Sequence, residues 1–251
     1  LKNDQDFGPV YISLAKSHFY RGNNEKAREC LSKAMSLIYK FPEPIQYEIK
    51  SKYFVLVEKN PEKLIKLYEL WVKLQPHNIK AHKDLAYEYT QIKELDKALE
   101  EYFIIRDMDP SSFDIVSEII DIYMLQKKFK DAEKLLKYYS NNYKENYQSY
   151  FSLGKLYEEM GELEKAREQY DIASLLEPNI GQIMLRLIGI ETKLGNFDLA
   201  INQLTNLTND NNVTKNEKYC SYQKLYMIYN ILGQFKKSIK CAEKLSQLES
   251  T

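Results

Sequence analysis

The stretch Gly161–Pro178, GELEKAREQYDIASLLEP, has a near copy 68 residues earlier at Lys93–Pro110, KELDKALEEYFIIRDMDP. In both, Leu, an acidic residue, Lys and Ala are followed by Tyr four residues after the Ala and by Pro twelve residues after it. Sixty-eight is twice 34, and the shorter period runs on: Ala98, Ala132, Ala166 and Ala200 are each 34 residues apart. Tyr102, Leu136, Tyr170 and Leu204 follow them, and Tyr89, Tyr123 and Tyr157 precede the first three. Inside a copy, Leu95, Ala98, Leu99, Tyr102 and Ile105 fall on one face of a helix. Gly22, Gly161, Gly195 and Gly233 punctuate the chain, as do Pro76, Pro110 and Pro178. No stretch alternates as a strand would. The chain reads as all helix.

Composition narrows the partners. The 251 residues carry 36 basic and 36 acidic side chains, so the net charge is zero. That gives no global electrostatic reason to expect nucleic acid or an anionic membrane. Only Arg21, Arg28, Arg106, Arg167 and Arg186 supply the guanidinium fork that phosphate recognition favours. Cys30, Cys220 and Cys241 are too scattered for a disulfide framework or a zinc site, so a reducing, cytoplasmic setting is expected. No apolar run approaches the roughly 20 residues of a membrane helix, and no signal peptide opens the chain. The first residue is Leu, and residues 1–7 read as the remnant of a linker in something longer.

A 34-residue unit with small residues at fixed places and two helical periods resembles the tetratricopeptide repeat family. Extending the frame gives units 8–41, 45–78, 79–112, 113–146, 147–180, 181–214 and 219–251, a single array over 8–251. The resemblance implies a right-handed superhelical solenoid of about seven helical hairpins. Ala27, Ala98, Ala132, Ala166, Ala200 and Ser238 mark the crossing of each pair, where a larger side chain would overpack at about 1–3 kcal/mol. One hairpin cannot bury its apolar face alone, so each copy is the floor for the next.

Departures carry expectations of their own. Lys52, Leu64 and Trp71 replace small residues in the second unit, and Ile120, Ile188 and Tyr226 do so in later ones. Those hairpins are expected to splay. Pro42–Pro44 and Lys215–Lys218 interrupt the spacing, and 205–218 reads as the most loop-like stretch.

The residues offer no catalytic constellation: no phosphate loop, no HExxH, no GxSxG and no CxxC. His18 reads as a packed core residue, while the pairs Glu100–Glu101 and Glu158–Glu159 read as solvated helix surface. We expect no enzyme activity, cofactor or metal in this segment. The family binds on a concave face lined by the first helix of each unit. Carried onto this sequence, that face takes Ile49, Lys50 and Tyr53, then Lys80, Lys83, Asp84, Tyr87 and Gln91. Next come Asp114, Ser117, Glu118 and Asp121, followed by Gln148, Phe151, Ser152, Lys155 and Glu158. Gln182, Leu185, Arg186 and Lys193 complete it. A basic and aromatic stretch thus precedes an acidic one and then a mixed one, suited to a peptide of opposite charge order. The chaperone-type carboxylate clamp does not fit, because Tyr87 and Glu118 stand where that clamp needs Asn.

The implied function is a protein-interaction scaffold for a peptide or domain. The stretch 60–89 looks like the arrays appended to bacterial serine/threonine kinases, nucleotide cyclases and transcription regulators, so a docking role in a signalling protein is expected. The alternative is structural. Ile239, Ala242, Leu245 and Leu248 share a face of the last helix, which could pack end to end and form a homodimer.

Overall fold

A computed structural model describes residues 8–178, 181–210 and 212–249; the expected linker at 1–7 lies outside them. All regular structure among the described residues is helical, with fourteen α-helices, and consecutive helices pack as hairpins within each of two compact units. The chain divides into two compact units, Leu1–Ile122 and Tyr123–Thr251. The first holds α1 (Gly8–Tyr20), α2 (Asn24–Ser36), α3 (Glu43–Tyr53), α4 (Pro61–Leu74), α5 (Ile79–Gln91) and α6 (Leu95–Met108), and it receives most of α7 (Phe113–Leu125). The second holds α8 (Phe129–Asn142), α9 (Tyr147–Glu159), α10 (Leu163–Leu176), α11 (Gly181–Lys193), α12 (Phe197–Asn209), α13 (Lys215–Ile231) and α14 (Phe235–Glu249).

Helix starts follow the side chains. Asn60, Asn78 and Asn146 each accept a hydrogen bond from the backbone N–H three residues on, satisfying an orphan donor of the first turn. Thr214 and Glu217 form a capping box for α13. Lys215–Lys218 is therefore the first turn of a lengthened helix and not an interruption, which corrects the loop expected there.

Within each hairpin, the turn is made by one residue in the left-handed region. Lys59, Lys93, Lys127, Gly161 and Gly195 stand 34 residues apart in the sequence, and all have φ between 51° and 83°. The residue after the turn donates to the carbonyl five residues back: Glu94 to Tyr89 at 2.9 Å, Lys128 to Tyr123 at 2.8 Å, Glu162 to Tyr157 at 2.9 Å. This is the Schellman closure that glycine favours, because a Cβ is strained at such φ. Lys127→Gly is accordingly expected to raise stability by about 1 kcal/mol, the relief of left-handed strain less the added freedom of the unfolded chain. A urea midpoint that stays put or falls would show the lysine to be unstrained.

The second hairpin breaks the frame in an instructive way. After α3 the chain runs into a π-helical turn, Phe54–Glu58, and Asn60 donates to Phe54, six residues back instead of five. One extra residue has been absorbed inside the helix. Arg28 on α2 donates to the Leu56 carbonyl at 2.9 Å, meeting a group of that wide turn. The frame of α3 is consequently shifted by one: the buried small residue is Ser51, and Lys52 stands outside the core. Trp71 is buried and stacks on Tyr47 with centroids 4.8 Å apart, so aromatic area replaces the close crossing.

Helices α3 and α4 meet over a short stretch, as do α11 and α12, whereas α9 and α10 lie together over much of their length. Ile188 packs with Ala200 and Leu204 in the core of the second unit. Tyr226 causes no splay: it is exposed, and α13 and α14 close as fully as α5 and α6.

Candidate peptide-binding faces

In the first unit, side chains from α1, α3, the π-turn and α5 surround an open cavity of about 530 Å³. Phe19, Val55 and Ile12 provide apolar wall, and Lys16, Glu48, Lys52, Lys80 and Asp84 provide charge. Glu48 holds Lys52 at 2.6 Å and Lys16 at 3.6 Å. The hydrogen bond from Lys52 keeps the Glu48 carboxyl low despite partial burial. Burial raises Asp84 instead, against the pull of Lys80 and Lys83. Further along, Glu118 lies against the buried Tyr102 hydroxyl, with Tyr87 nearby. Burial, then Glu118, drives the Tyr102 phenol far above its ordinary pKa.

In the second unit, α9, α11 and α13 surround a cavity of about 360 Å³. Its polar centre is Glu158, whose side chain is only 12% exposed. The carboxylate accepts from Tyr170 at 3.0 Å, from Arg186 at 3.2 Å and from Lys193 at 2.6 Å. Burial alone would raise Glu158, but the Lys193 and Tyr170 hydrogen bonds and the Arg186 charge outweigh it and hold the group low. The Phe151 ring packs on Tyr170 with centroids 5.6 Å apart.

The expected residues divide accordingly. Lys80 and Asp84 line the first cavity, Gln182, Leu185, Arg186, Lys193 and Glu158 the second. Lys83, Gln91, Asp114 and Asp121 are exposed on α5 and α7, Tyr87 is 55% exposed, and Lys155 is half-exposed on α9. Lys50 and Tyr53 lie outside the cavity: Lys50 sits 6.0 Å from the Tyr47 ring centre and Tyr53 meets Phe54 edge-on. Ile49 is core, packed with Ala34, Leu37 and Phe41. The one-residue shift of α3 explains this, since it turns Glu48 and Lys52 into the cavity in their place. Glu158 and Glu101 are not the solvated surface expected of them. Glu101 holds the buried His82 at 2.5 Å, and the other ring nitrogen of His82 lies 3.0 Å from the Pro76 carbonyl. His18 is only half-buried. The sequence reading also missed Lys16 and Phe19 of the first hairpin and Lys224 and Met227 of the seventh. Carrying the same unit positions into the two end hairpins would have found all four.

Among the described residues, no cluster of His, Cys, Asp and Glu could hold a metal, and no helix is long and apolar enough to cross a membrane.

Comparison with known proteins bears on this geometry. The tetratricopeptide repeat family model matches residues 8–40 and 147–180. A tetratricopeptide repeat protein from Parabacteroides merdae has a similar structure, with TM-score 0.64 and 14% identity over 98% of this chain and 94% of its own. Pseudomonas aeruginosa pilF is similar at TM-score 0.52 and 17% identity, covering 96% of this chain and 91% of its own. A MamA protein is similar at TM-score 0.50 and 16% identity, covering 68% and 92%. No curated protein sequence matches. Identities this low carry the fold alone. Two stretches of the chain therefore match the tetratricopeptide repeat in sequence, and the chain as a whole shares the fold of tetratricopeptide-repeat structures.

Proposed function

We propose that this array is a non-catalytic scaffold that binds an extended or helical peptide, or a protein segment, along the first-helix faces of its hairpins. The observation that carries the reading is the second-unit cavity. There α9, α11 and α13 place cationic and apolar side chains around one buried carboxylate, a lining fit for recognition. Lys50, Tyr53, Lys80, Lys83, Tyr87, Gln91, Asp114, Glu118, Asp121, Phe151, Lys155 and Arg186 stay in the proposal as face candidates, now joined by Lys16, Glu48 and Lys52. The test is selection of peptides from a displayed random library, followed by charge reversal at Lys83→Glu and Lys155→Glu. Selected peptides are expected to lose about tenfold in affinity for the doubly reversed chain. Failure to select any peptide, or unchanged affinity after reversal, counts against these faces.

The signalling context rests on the stretch 60–89 alone, and neither the family match nor the similar structures name a kinase, cyclase or regulator. The binding role proposed does not depend on it. A second reading, self-association, is favoured by the last hairpin, where Phe235 is 64% and Ile239 58% exposed. It requires a dimer in light scattering that Ile239→Lys abolishes.

A further inference from the structure

Lys224 on α13 differs from every other cation of the second-unit cavity. It is half-buried, yet it forms no hydrogen bond or ion pair with any described residue. Glu158 cannot serve it at close range, being already taken up by Tyr170, Arg186 and Lys193. The Lys224 ammonium comes up against Gly189 on α11, where a Cβ would lie 3.5 Å from it, in ordinary contact. Burial, reinforced by Arg186, pulls the Lys224 pKa down against the opposing charge of Glu158. Around this point Arg186, Lys193 and Lys224 carry three positive charges against the single negative charge of Glu158, and Leu185, Met227 and Ile231 give an apolar wall.

We propose that Lys224, with Arg186, receives a carboxylate, and that Leu185, Met227 and Ile231 receive an aliphatic side chain next to it. The occupant is an acidic–aliphatic step of a bound peptide. This rests on the peptide-binding reading and narrows it to one subsite. The excess positive charge calls for an anion, and the mainly apolar wall calls for an organic one rather than a bare phosphate.

Short probes test the subsite on the full chain, followed through the methyl NMR signals of Met227 and Ile231. Acetyl-Glu-Leu-amide is expected to shift those signals saturably and to bind about tenfold more tightly than acetyl-Gln-Leu-amide. The preference should vanish in Lys224→Gln and survive in Lys224→Arg, both checked for unchanged circular dichroism. A third probe, acetyl-Gln-Leu with a free terminus, separates a chain-end carboxylate from a side-chain one; tighter binding of either carboxylate than of the neutral probe supports the subsite. Equal binding of all three probes, binding of none, or tighter binding of inorganic phosphate overturns it. If the selected peptides still bind and still respond to charge reversal elsewhere, the subsite alone has failed and the scaffold reading stands.

Discussion

His82→Ala is expected to destabilise the chain by about 2–4 kcal/mol. The ring is buried between α4, α5 and α6, with Nδ1 at 2.5 Å from Glu101 and Nε2 at 3.0 Å from the Pro76 carbonyl. One ring nitrogen thus meets the Glu101 carboxyl and the other a backbone carbonyl. Removing the ring strands both the carboxyl of Glu101, 16% exposed, and a turn carbonyl. Stranding a buried polar partner costs more than the bond contributed. Replacing both partners, as His82→Leu with Glu101→Leu, should recover much of the loss because the Glu101 carboxyl is then no longer stranded and only the Pro76 carbonyl is left without its partner. Urea unfolding of the single and double variants decides it. A single variant within about 0.5 kcal/mol of the parent would make the pair a bystander.

Gly154→Ala should cost about 1–3 kcal/mol by overpacking. An added Cβ would lie 2.5 Å from Cε1 and 2.6 Å from Cδ1 of Tyr170. Tyr170 cannot swing aside, since its side chain is fully buried and its hydroxyl is held by Glu158. The next hairpin shows the other solution, with Ile188 on the first helix and Leu204 on the second packed in one cluster. Volume is conserved across the pair: a tyrosine takes a glycine, a leucine takes an isoleucine. Tyr170→Leu is therefore expected to offset Gly154→Ala, with a coupling of about 1 kcal/mol or more in a double-mutant cycle. Additive losses would show that the ring and the glycine do not meet.

The same pair shows what the sequence made legible. The 34-residue ladder located the turns and the crossing residues, because a Schellman turn and a close helix contact each demand a residue type at a fixed place. Ile188 looked like a plain violation until its partner was read with it, since compensation lies sixteen residues away and has no local signature. Lys52 misled for a different reason. A π-turn is written in no residue type, so the one-residue shift of α3 has no signature in the sequence, and Ile49 and Tyr53 are expected where Glu48 and Lys52 stand. His82–Glu101 and the Glu158 network depend on side chains twelve to thirty-five residues apart on different helices, which helical periodicity cannot pair. The faces themselves came from the family resemblance, and the residues expected on them line one cavity together where the frame is unbroken.

The π-turn has a meaning beyond its own hairpin. Between Gly22 and Lys59 the chain is three residues longer than one period, yet from Lys59 to Gly195 every turn keeps its station. Each left-handed turn acts as a reset, so a length error within one copy is settled there and is not passed on. A chain of this kind can gain or lose single residues during evolution without rewriting its later copies, and so recognition at one end can drift while the other stays fixed.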